Sequence, residues 1–173
     1  MRRSPMPARK APMGRAVLRS VSTGDRPRQR RQPVKAMPGP NAAERLVVAE
    51  RSARVRMVDM STVIAWCCEV CGRILALPTG DGMTWVGDHS WHHRRPRGKG
   101  GDRDPALNTP PRLLLVCGHD NSSGCHGLIE QQRVLAKDNG WLVPRPTDPA
   151  TVPVELHDGR RLLTLSGTYE EVS

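Results

Sequence analysis

The chain has 173 residues, with 27 Lys or Arg, 17 Asp or Glu, four Trp, one Tyr and no Phe. This length predicts one domain, or one small domain with a tail, and the scarcity of aromatic residues limits the core it can build. No apolar segment is long enough for a signal peptide or a membrane span, so we expect a cytoplasmic protein with no membrane partner.

The positive charge is concentrated at the N-terminal end. Residues 1–60 carry 15 Lys or Arg and 4 Asp or Glu, whereas residues 61–173 carry 12 and 13. Residues 1–40 combine basic residues with Pro and Gly and lack hydrophobic periodicity, which predicts a disordered basic tail. Such a tail is either a solvated segment or an arm that adds nonspecific DNA affinity through counterion release. In both cases its deletion should leave the fold intact.

A helix or linker is predicted over residues 41–60. The segment Asn41-Ala-Ala-Glu44 has the pattern of a capping box, and an incomplete apolar stripe continues to about Met57. The next elements are expected to be short strands around a Cys-x-x-Cys motif and a turn. These are strands over residues 62–66, 73–77 and 83–86, and a turn over residues 78–82.

Two further strands and a helix are predicted in the second half of the chain. The strands cover residues 91–94 and 112–116, and the second should be buried because its apolar run is continuous. The helix runs from His126 to Asn139 and ends at a glycine. Residues 146–173 are expected to form a C-terminal hairpin extension. The predicted fold class is α+β.

The cysteine spacing predicts a structural zinc site. The motif Cys68-Glu-Val-Cys71, followed by glycine, is typical of a zinc knuckle, where a tight turn lets two thiolates reach one ion. Cys117 and Cys125 would complete the site, although their spacing is wider than usual. In a cytoplasmic protein, metal binding is favoured over disulfides. Cys67 could replace Cys68, but we prefer Cys68 as the ligand and Cys67 as a buried strand residue.

A second group of residues could hold another metal ion. His92 and His93 are neighbours on a predicted strand, so their side chains should point to opposite faces. One could then bind a metal ion while the other acts as a base. His126 follows Cys125 at the start of the predicted helix, and pairing of the two strands would bring it close to His92. The other histidines, which we interpret mainly as surface or core residues, are His89, His119 and His157.

A basic, glycine-rich loop directly follows the two histidines. It favours the His92-His93 pair over the Asp88-His89 pair as the functional site. The basic side chains could contact DNA phosphates, which positions a nucleic acid without reading its sequence. The alternative is an ordinary solvated loop. The predicted phosphate contacts are Arg94, Arg95, Arg97 and Lys99.

These motifs together resemble the HNH endonuclease family, and most closely its short zinc-containing members from tailed bacteriophages. The similarity spans about residues 62–143. It is carried by Trp91-His92-His93 with the basic loop, then Asn108, and then Cys117 and Cys125-His126-Gly127. The resemblance implies a small, zinc-stapled ββα-metal domain, or His-Me finger, over residues 61–145.

The resemblance also implies a role for each residue of the histidine group. His92 and His126 take metal-ligand positions, His93 takes the general-base position, and Asn108 braces the loop that carries the base. Glu130 stands where some members have a further histidine, and a carboxylate can bind a hard divalent ion.

The implied activity is hydrolysis of DNA phosphodiester bonds, by nicking or double-strand cleavage. The cofactors would be structural zinc and one catalytic ion: Mg²⁺, Mn²⁺, Ni²⁺ or Zn²⁺. The implied partners are DNA and a phage terminase during genome packaging, in the host cytoplasm. The main alternative is a noncatalytic zinc-knuckle DNA-binding protein, which would have no use for a base such as His93. A restriction or homing nuclease fits less well because no specificity domain is visible.

Overall fold

A computed structural model of the protein describes residues 38–96 and 102–172. The predicted tail therefore lies outside the described residues except for its last three positions, and so do Arg97 and Lys99. No helix in the described ranges is long and apolar enough to cross a membrane. The helices are α1 (Ala42–Arg51), α2 (Gly124–Gln131) and α3 (Arg133–Asp138). The strands are β1 (Ala53–Val58), β2 (Ser61–Cys67), β3 (Ile74–Thr79), β4 (Gly82–Trp85), β5 (His89–His93), β6 (Leu113–Cys117), β7 (Val154–Leu156), β8 (Gly159–Leu163) and β9 (Tyr169–Glu171).

The strands form three antiparallel sheets, which confirms the predicted α+β class. One sheet has the order β1-β2-β3-β4, the second pairs β5 with β6, and the third has the order β7-β8-β9. The β5–β6 pair matters most for the histidines, because its register sets His92 opposite Leu114 and His89 opposite Cys117. The end of β6 that carries a cysteine therefore lies beside the start of β5.

The first helix is shorter than the sequence predicts. Its capping box is confirmed, since the Asn41 side chain accepts from the Glu44 amide at 2.9 Å and Glu44 accepts from the Asn41 amide at 2.6 Å. The helix nevertheless ends at Arg51 and not near Met57. Residues 53–58 alternate apolar and basic side chains, which is the period of a strand, and they pair with β2 as a hairpin.

The second predicted helix is interrupted. The structure replaces the single helix over residues 126–139 by α2 and α3, which are separated at Gln132 with ψ of 63°. Nothing in the local sequence explains the interruption. The predicted turn over residues 78–82 is also shorter, because β3 continues to Thr79 and β4 begins at Gly82.

The hydrophobic core joins all three sheets around β6. Every residue of β6 is buried, as expected for its continuous apolar run. The C-terminal segment belongs to the same core, since Val154, Leu156 and Leu163 lie in the buried cluster that contains β6. The segment predicted as an extension thus completes the core, and it includes a third strand, β9, that the sequence pattern did not predict.

A buried ion pair links the first helix to the cysteine motif. The guanidinium of Arg51 binds both carboxylate oxygens of Glu69 at 2.8 and 3.0 Å, and neither side chain is exposed. Glu69 also accepts from the Leu115 amide at 2.8 Å and from the Tyr169 hydroxyl at 3.0 Å. Burial alone would lower the pKa of Arg51, but the Glu69 carboxylate keeps it raised overall. One carboxylate therefore connects α1, β6 and β9.

We expect Glu69→Ala to lower the free energy of unfolding by about 3–5 kcal/mol, because it leaves a buried guanidinium without its partner. The matched control is Asp158→Asn, which disturbs the partly exposed Arg54–Asp158 pair. That change should cost no more than about 1 kcal/mol. Urea unfolding of both variants measures the difference, and equal effects would contradict the role of Glu69.

Candidate metal centres and histidine cleft

The four predicted zinc ligands lie together. The thiol sulfurs of Cys68, Cys71, Cys117 and Cys125 all lie within 4.8 Å of one another, a grouping that could hold a structural metal such as zinc. The first two flank the turn between β2 and β3, where the Cys68 amide donates to the Arg73 carbonyl at 2.8 Å. The other two come from the end of β6 and the start of α2.

The wide spacing between Cys117 and Cys125 is accommodated by a closed loop. Gly118 and Gly124 stand at its two ends, both with positive φ. A Cβ at Gly118 would lie 2.0 Å from the Ser123 carbonyl oxygen, and one at Gly124 would lie 2.5 Å from the Cys117 carbonyl oxygen. Only glycine lets the backbone approach itself this closely. The seven intervening residues loop out, and both sulfurs still reach the same point.

Hydrogen bonds within the cluster favour thiolate ligands. The Cys125 amide donates to the Cys117 sulfur at 3.2 Å. Hydrogen bonds with neighbouring thiols, first from Cys125, lower the pKa of Cys71 to about 2. Those from Cys68 lead the causes that lower the pKa of Cys117 to about 6, while the pKa of Cys68 itself is raised. These interactions lower the pKa of Cys71 and Cys117 and raise that of Cys68 and Cys125, so two of the four thiols are favoured as thiolate, the form that binds zinc.

The structure distinguishes Cys68 from Cys67. Cys67 ends β2, is fully buried, and its thiol lies 3.7 Å from the Ala65 carbonyl oxygen, outside the four-sulfur group. Burial raises its pKa, which disfavours the thiolate. The preference for Cys68 as the ligand, with Cys67 as a buried strand residue, agrees with this geometry.

We expect Cys68→Ser to lose the metal and to give insoluble or unfolded protein, because a structural zinc contributes roughly 10–16 kcal/mol of apparent binding energy. The matched control, Cys67→Ala, should keep one zinc per chain. Elemental analysis of the soluble protein measures both. Less than half an equivalent of zinc in the unmodified protein, or full zinc in Cys68→Ser, would contradict the assignment.

Three side chains from two elements form a second candidate metal group. His92 of β5 and His126 and Glu130 of α2 place ligand atoms within 4.8 Å of one another. The ring centroids of the two histidines are 5.6 Å apart. His126 follows Cys125 directly, so the cysteine cluster fixes the start of the helix that carries both α2 residues.

His92 has the protonation state of a metal ligand. Its side chain is buried, and its Nε2 lies 3.1 Å from the Trp141 carbonyl oxygen, which can only accept. Nε2 therefore carries the proton. Burial and the nearby His126 lower the pKa of His92 to about 3, so the ring is neutral at physiological pH. A neutral imidazole whose second nitrogen donates to a carbonyl is the usual state of a metal-binding histidine.

The two α2 residues differ in how they are held. The Nδ1 atom of His126 is buried and has no hydrogen-bond partner among the described residues. An unpaired buried nitrogen is costly, which favours a ligand at this position. Glu130 instead has a partner, since its carboxylate binds Arg133 at 2.9 Å on the partly exposed side of α2. A metal ion at the group would compete with Arg133 for Glu130.

His93, the last residue of β5, pairs with Asn108. His93 is partly buried, and its Nε2 is 3.1 Å from the Asn108 Oδ1 atom. The Asn108 amide nitrogen donates to the Pro38 carbonyl oxygen at 3.3 Å, which assigns the orientation of the amide. Because Oδ1 can only accept, the proton of a neutral His93 ring lies on Nε2 and its lone pair on Nδ1.

The histidines share one surface cleft of about 460 Å³. It brings together the candidate metal group and His93, although successive strand side chains point to opposite faces. The residues that line it are Pro40, Ser90, Trp91, His92, His93, Pro96, His126 and Glu130. A base and a candidate metal group therefore face the same space.

The predicted phosphate contact of Arg94 is wrong. Its side chain is fully buried and donates to four carbonyl oxygens, those of Gly140, Pro111, Pro149 and Val152, at 2.8–2.9 Å. It anchors the C-terminal segment to β5 and cannot reach a phosphate. The Arg95 side chain is mostly covered and pairs with Asp104 at 3.2 Å, so its contact with DNA would compete with that pair.

The remaining histidines lie outside both groups. His119 is exposed between Asp88 and Asp120, at 3.4 and 3.3 Å. His157 contacts Arg56 at 3.1 Å beside the cysteine turn. His89 is stacked on Trp85, so the Asp88-His89 sequence does not form an acid–histidine pair in the cleft.

The end of the predicted tail contacts this site. Pro38 accepts from Asn108, and Pro40 is buried and lines the histidine cleft. The expectation that removal of residues 1–40 leaves the fold and the cleavage chemistry intact stays a prediction, and residues 38–40 are the part of that segment that contacts the site. No hydrophobic pattern signals this contact, because Pro38 contributes a backbone carbonyl and Pro40 acts alone.

A chain that begins at Asn41 should be less stable than one that begins at Lys35, by about 1 kcal/mol. The shorter chain loses the hydrogen bond from Asn108 to Pro38 and the packing of Pro40. Urea unfolding of both proteins, with the full chain as reference, measures the difference. If both truncated proteins have the same unfolding free energy, residues 38–40 do not support the site.

Comparison with known proteins gives no relative. No protein-family model, curated protein or solved structure matches this chain. The function must therefore be argued from the site itself.

Proposed function

We propose that the protein is a metal-dependent DNA endonuclease of the HNH type, with β5, β6 and α2 as its ββα-metal unit. One observation carries the proposal: His93, held by Asn108, faces the same cleft as His92, His126 and Glu130. A positioned base beside a group with metal-ligand chemistry suits hydrolysis of a phosphodiester bond.

In this proposal His93 is the general base. With Nε2 held by Asn108, the imidazole ring takes a proton from water. The resulting hydroxide attacks phosphorus as the bond to the 3′ oxygen breaks. The leaving oxygen is protonated from solvent, so the products are a 5′ phosphate and a 3′ hydroxyl. Asn108 is a positioning residue, because it sets the tautomer and direction of the base and does not touch the substrate.

The residues of the second group fit a divalent ion. His92, His126 and Glu130 offer two imidazoles and a carboxylate, a mixed set that suits Zn²⁺, Mn²⁺ or Ni²⁺ as well as Mg²⁺. When bound, such an ion would stabilise the negative charge that develops on the phosphate and on the leaving oxygen. His92 contributes by staying neutral, and the carbonyl of Trp141 keeps its ring in one orientation.

The DNA contacts predicted from the basic loop are Arg94, Arg95, Arg97 and Lys99. Arg94 is excluded by its burial, and Arg97 and Lys99 lie outside the described residues. Arg95 is the only basic loop residue of the four that is both described and partly exposed. An interaction with a phage terminase stays a prediction from the family resemblance. A noncatalytic zinc protein that binds DNA would need the cysteine cluster but not the pairing of His93 with Asn108.

We expect His93→Ala to keep its fold and zinc but to cleave DNA roughly 10²–10⁴ times more slowly, the effect typical of losing a general base. His92→Ala and His126→Ala should also lose activity. Excess divalent ion should partly restore them, because they weaken ion binding and leave the base in place. The measurement is plasmid nicking across a titration of Mg²⁺, Mn²⁺, Ni²⁺ and Zn²⁺.

The matched control is His119→Ala, since His119 is an exposed histidine outside the cleft. It should cleave at the rate of the unmodified protein. Undiminished cleavage by His93→Ala would remove the assignment of the base. Absence of cleavage by the unmodified protein with every ion and DNA form would leave the noncatalytic zinc protein as the better description.

A further inference from the structure

Three of the four tryptophans gather at the surface, next to the histidine cleft. The rings of Trp66 and Trp85 are 5.4 Å apart, and those of Trp85 and Trp91 are 6.2 Å apart at nearly a right angle. His89 lies flat on Trp85, with centroids 3.6 Å apart and an interplanar angle of 13°. This cluster, Trp66, Trp85, His89 and Trp91, is called the aromatic cluster below.

The placement of these rings is unusual for this chain. It has only five aromatic residues in total, and its core is otherwise aliphatic. Large rings give the greatest hydrophobic stabilisation when fully buried. Trp141 follows that rule at 7% exposure, whereas Trp85 is 38% exposed and Trp66 and Trp91 are only partly buried. Trp66 and Trp91 pack against the core with part of each ring accessible, and Trp85 is the exposed member of the aromatic cluster.

The aromatic cluster forms one wall of a cleft of about 260 Å³, and α1 forms the other. The α1 side chains are mainly aliphatic, with Leu46 and Ala49 facing the rings, and the exposed Arg45 adds a positive charge. The volume lies below the roughly 300–1,000 Å³ of pockets for drug-sized ligands. A single flat ring system matches this narrow, aromatic cleft, and a cation beside it suits an attached phosphate.

The aromatic cleft adjoins the histidine cleft. Trp91 lines both, and it directly precedes His92 and His93 in β5. The two clefts also meet at the start of α1, where Pro40 lines the histidine cleft and Ala42 lines the aromatic cleft. A polymer that places one of its phosphates in the histidine cleft therefore has its neighbouring unit within reach of the aromatic cleft.

We propose that the aromatic cleft binds an unpaired base of a DNA strand whose backbone enters the histidine cleft. The inference rests on the proposed function and defines its substrate more closely, as DNA with a single-stranded or unstacked segment. Aromatic rings bind bases of any sequence by stacking, and a nearby cation holds the backbone.

The test compares two ligands without any cleavage step. One is oligothymidine, and the other is a strand of the same length that carries only abasic sites. Binding is measured by fluorescence anisotropy of labelled strands with no divalent ion added. The variants are Trp85→Ala, Trp85→Phe and Arg45→Ala. Val86→Ala is the matched control, because Val86 is the next residue, is exposed and does not line the aromatic cleft.

The unmodified protein should bind oligothymidine more tightly than the abasic strand. Trp85→Ala should weaken binding of oligothymidine by roughly 5–150-fold, the range for loss of one stacked base, and should leave the abasic strand nearly unchanged. Trp85→Phe should retain most of the affinity. Arg45→Ala should weaken both ligands, and Val86→Ala neither. Thermal unfolding of each variant shows that the fold is kept.

Three results would overturn the inference: equal binding of the two strands, equal effects of Trp85→Ala on both, or no effect of Trp85→Ala. These outcomes are separate from the test of the proposed function. A protein that cleaves DNA but shows no base-dependent binding retains the nuclease proposal and loses this one. A protein with base-dependent binding at Trp85 but no cleavage under any condition retains the aromatic cleft as a single-strand binding site and loses the nuclease.

Discussion

The meeting of four cysteines is the constraint on which the rest of the structure depends. It joins the turn between β2 and β3, the end of β6 and the start of α2 at one point. The chain has few aromatic side chains with which to hold these elements by packing alone. Because β6 pairs with β5 and α2 begins at the cluster, the cysteines also determine where His92 and His126 lie. The position of the candidate functional cleft therefore depends on the cysteine cluster.

Two buried arginines, Arg51 and Arg94, connect further segments of the fold. Arg51 is neutralised by Glu69, the residue inside the Cys-x-x-Cys motif, so the cysteine turn and α1 depend on each other. Among the described residues, Arg94 makes no salt bridge and is held by four carbonyl oxygens, those of Pro111, Gly140, Pro149 and Val152. Burial of a charge is costly unless its hydrogen bonds are satisfied. The position of β5 therefore depends on these two arginines and on the residues, distant in sequence, that bind them.

Local patterns predicted the features that depend on local geometry. The capping box of α1, the buried strand β6 and the proximity of the four cysteines follow from spacing and side-chain type. The structure also brings His92, His126 and Glu130 together, and it pairs His93 with Asn108. Features that depend on distant partners were not predictable. The position of Arg94 in a basic loop predicts exposure to solvent, but in the fold it is buried by carbonyl groups that are distant in sequence, those of Pro111, Gly140, Pro149 and Val152. Likewise, residues 53–58 extend the weak apolar stripe of α1 when the sequence is considered alone. Their pairing with β2 makes them a strand instead.

The histidine cleft and the aromatic cleft share Trp91, and the cysteine cluster and the histidine group are assigned as two candidate metal sites of different chemistry. Anomalous diffraction from crystals grown with Mn²⁺ tests this most directly, with data collected on both sides of the zinc absorption edge. Under this assignment, a zinc peak should lie among the sulfurs of Cys68, Cys71, Cys117 and Cys125, at about 2.3 Å from each. A separate manganese peak should lie among His92, His126 and Glu130. A crystal with no peak between the cysteines, or with none at the histidines at saturating Mn²⁺, would contradict it.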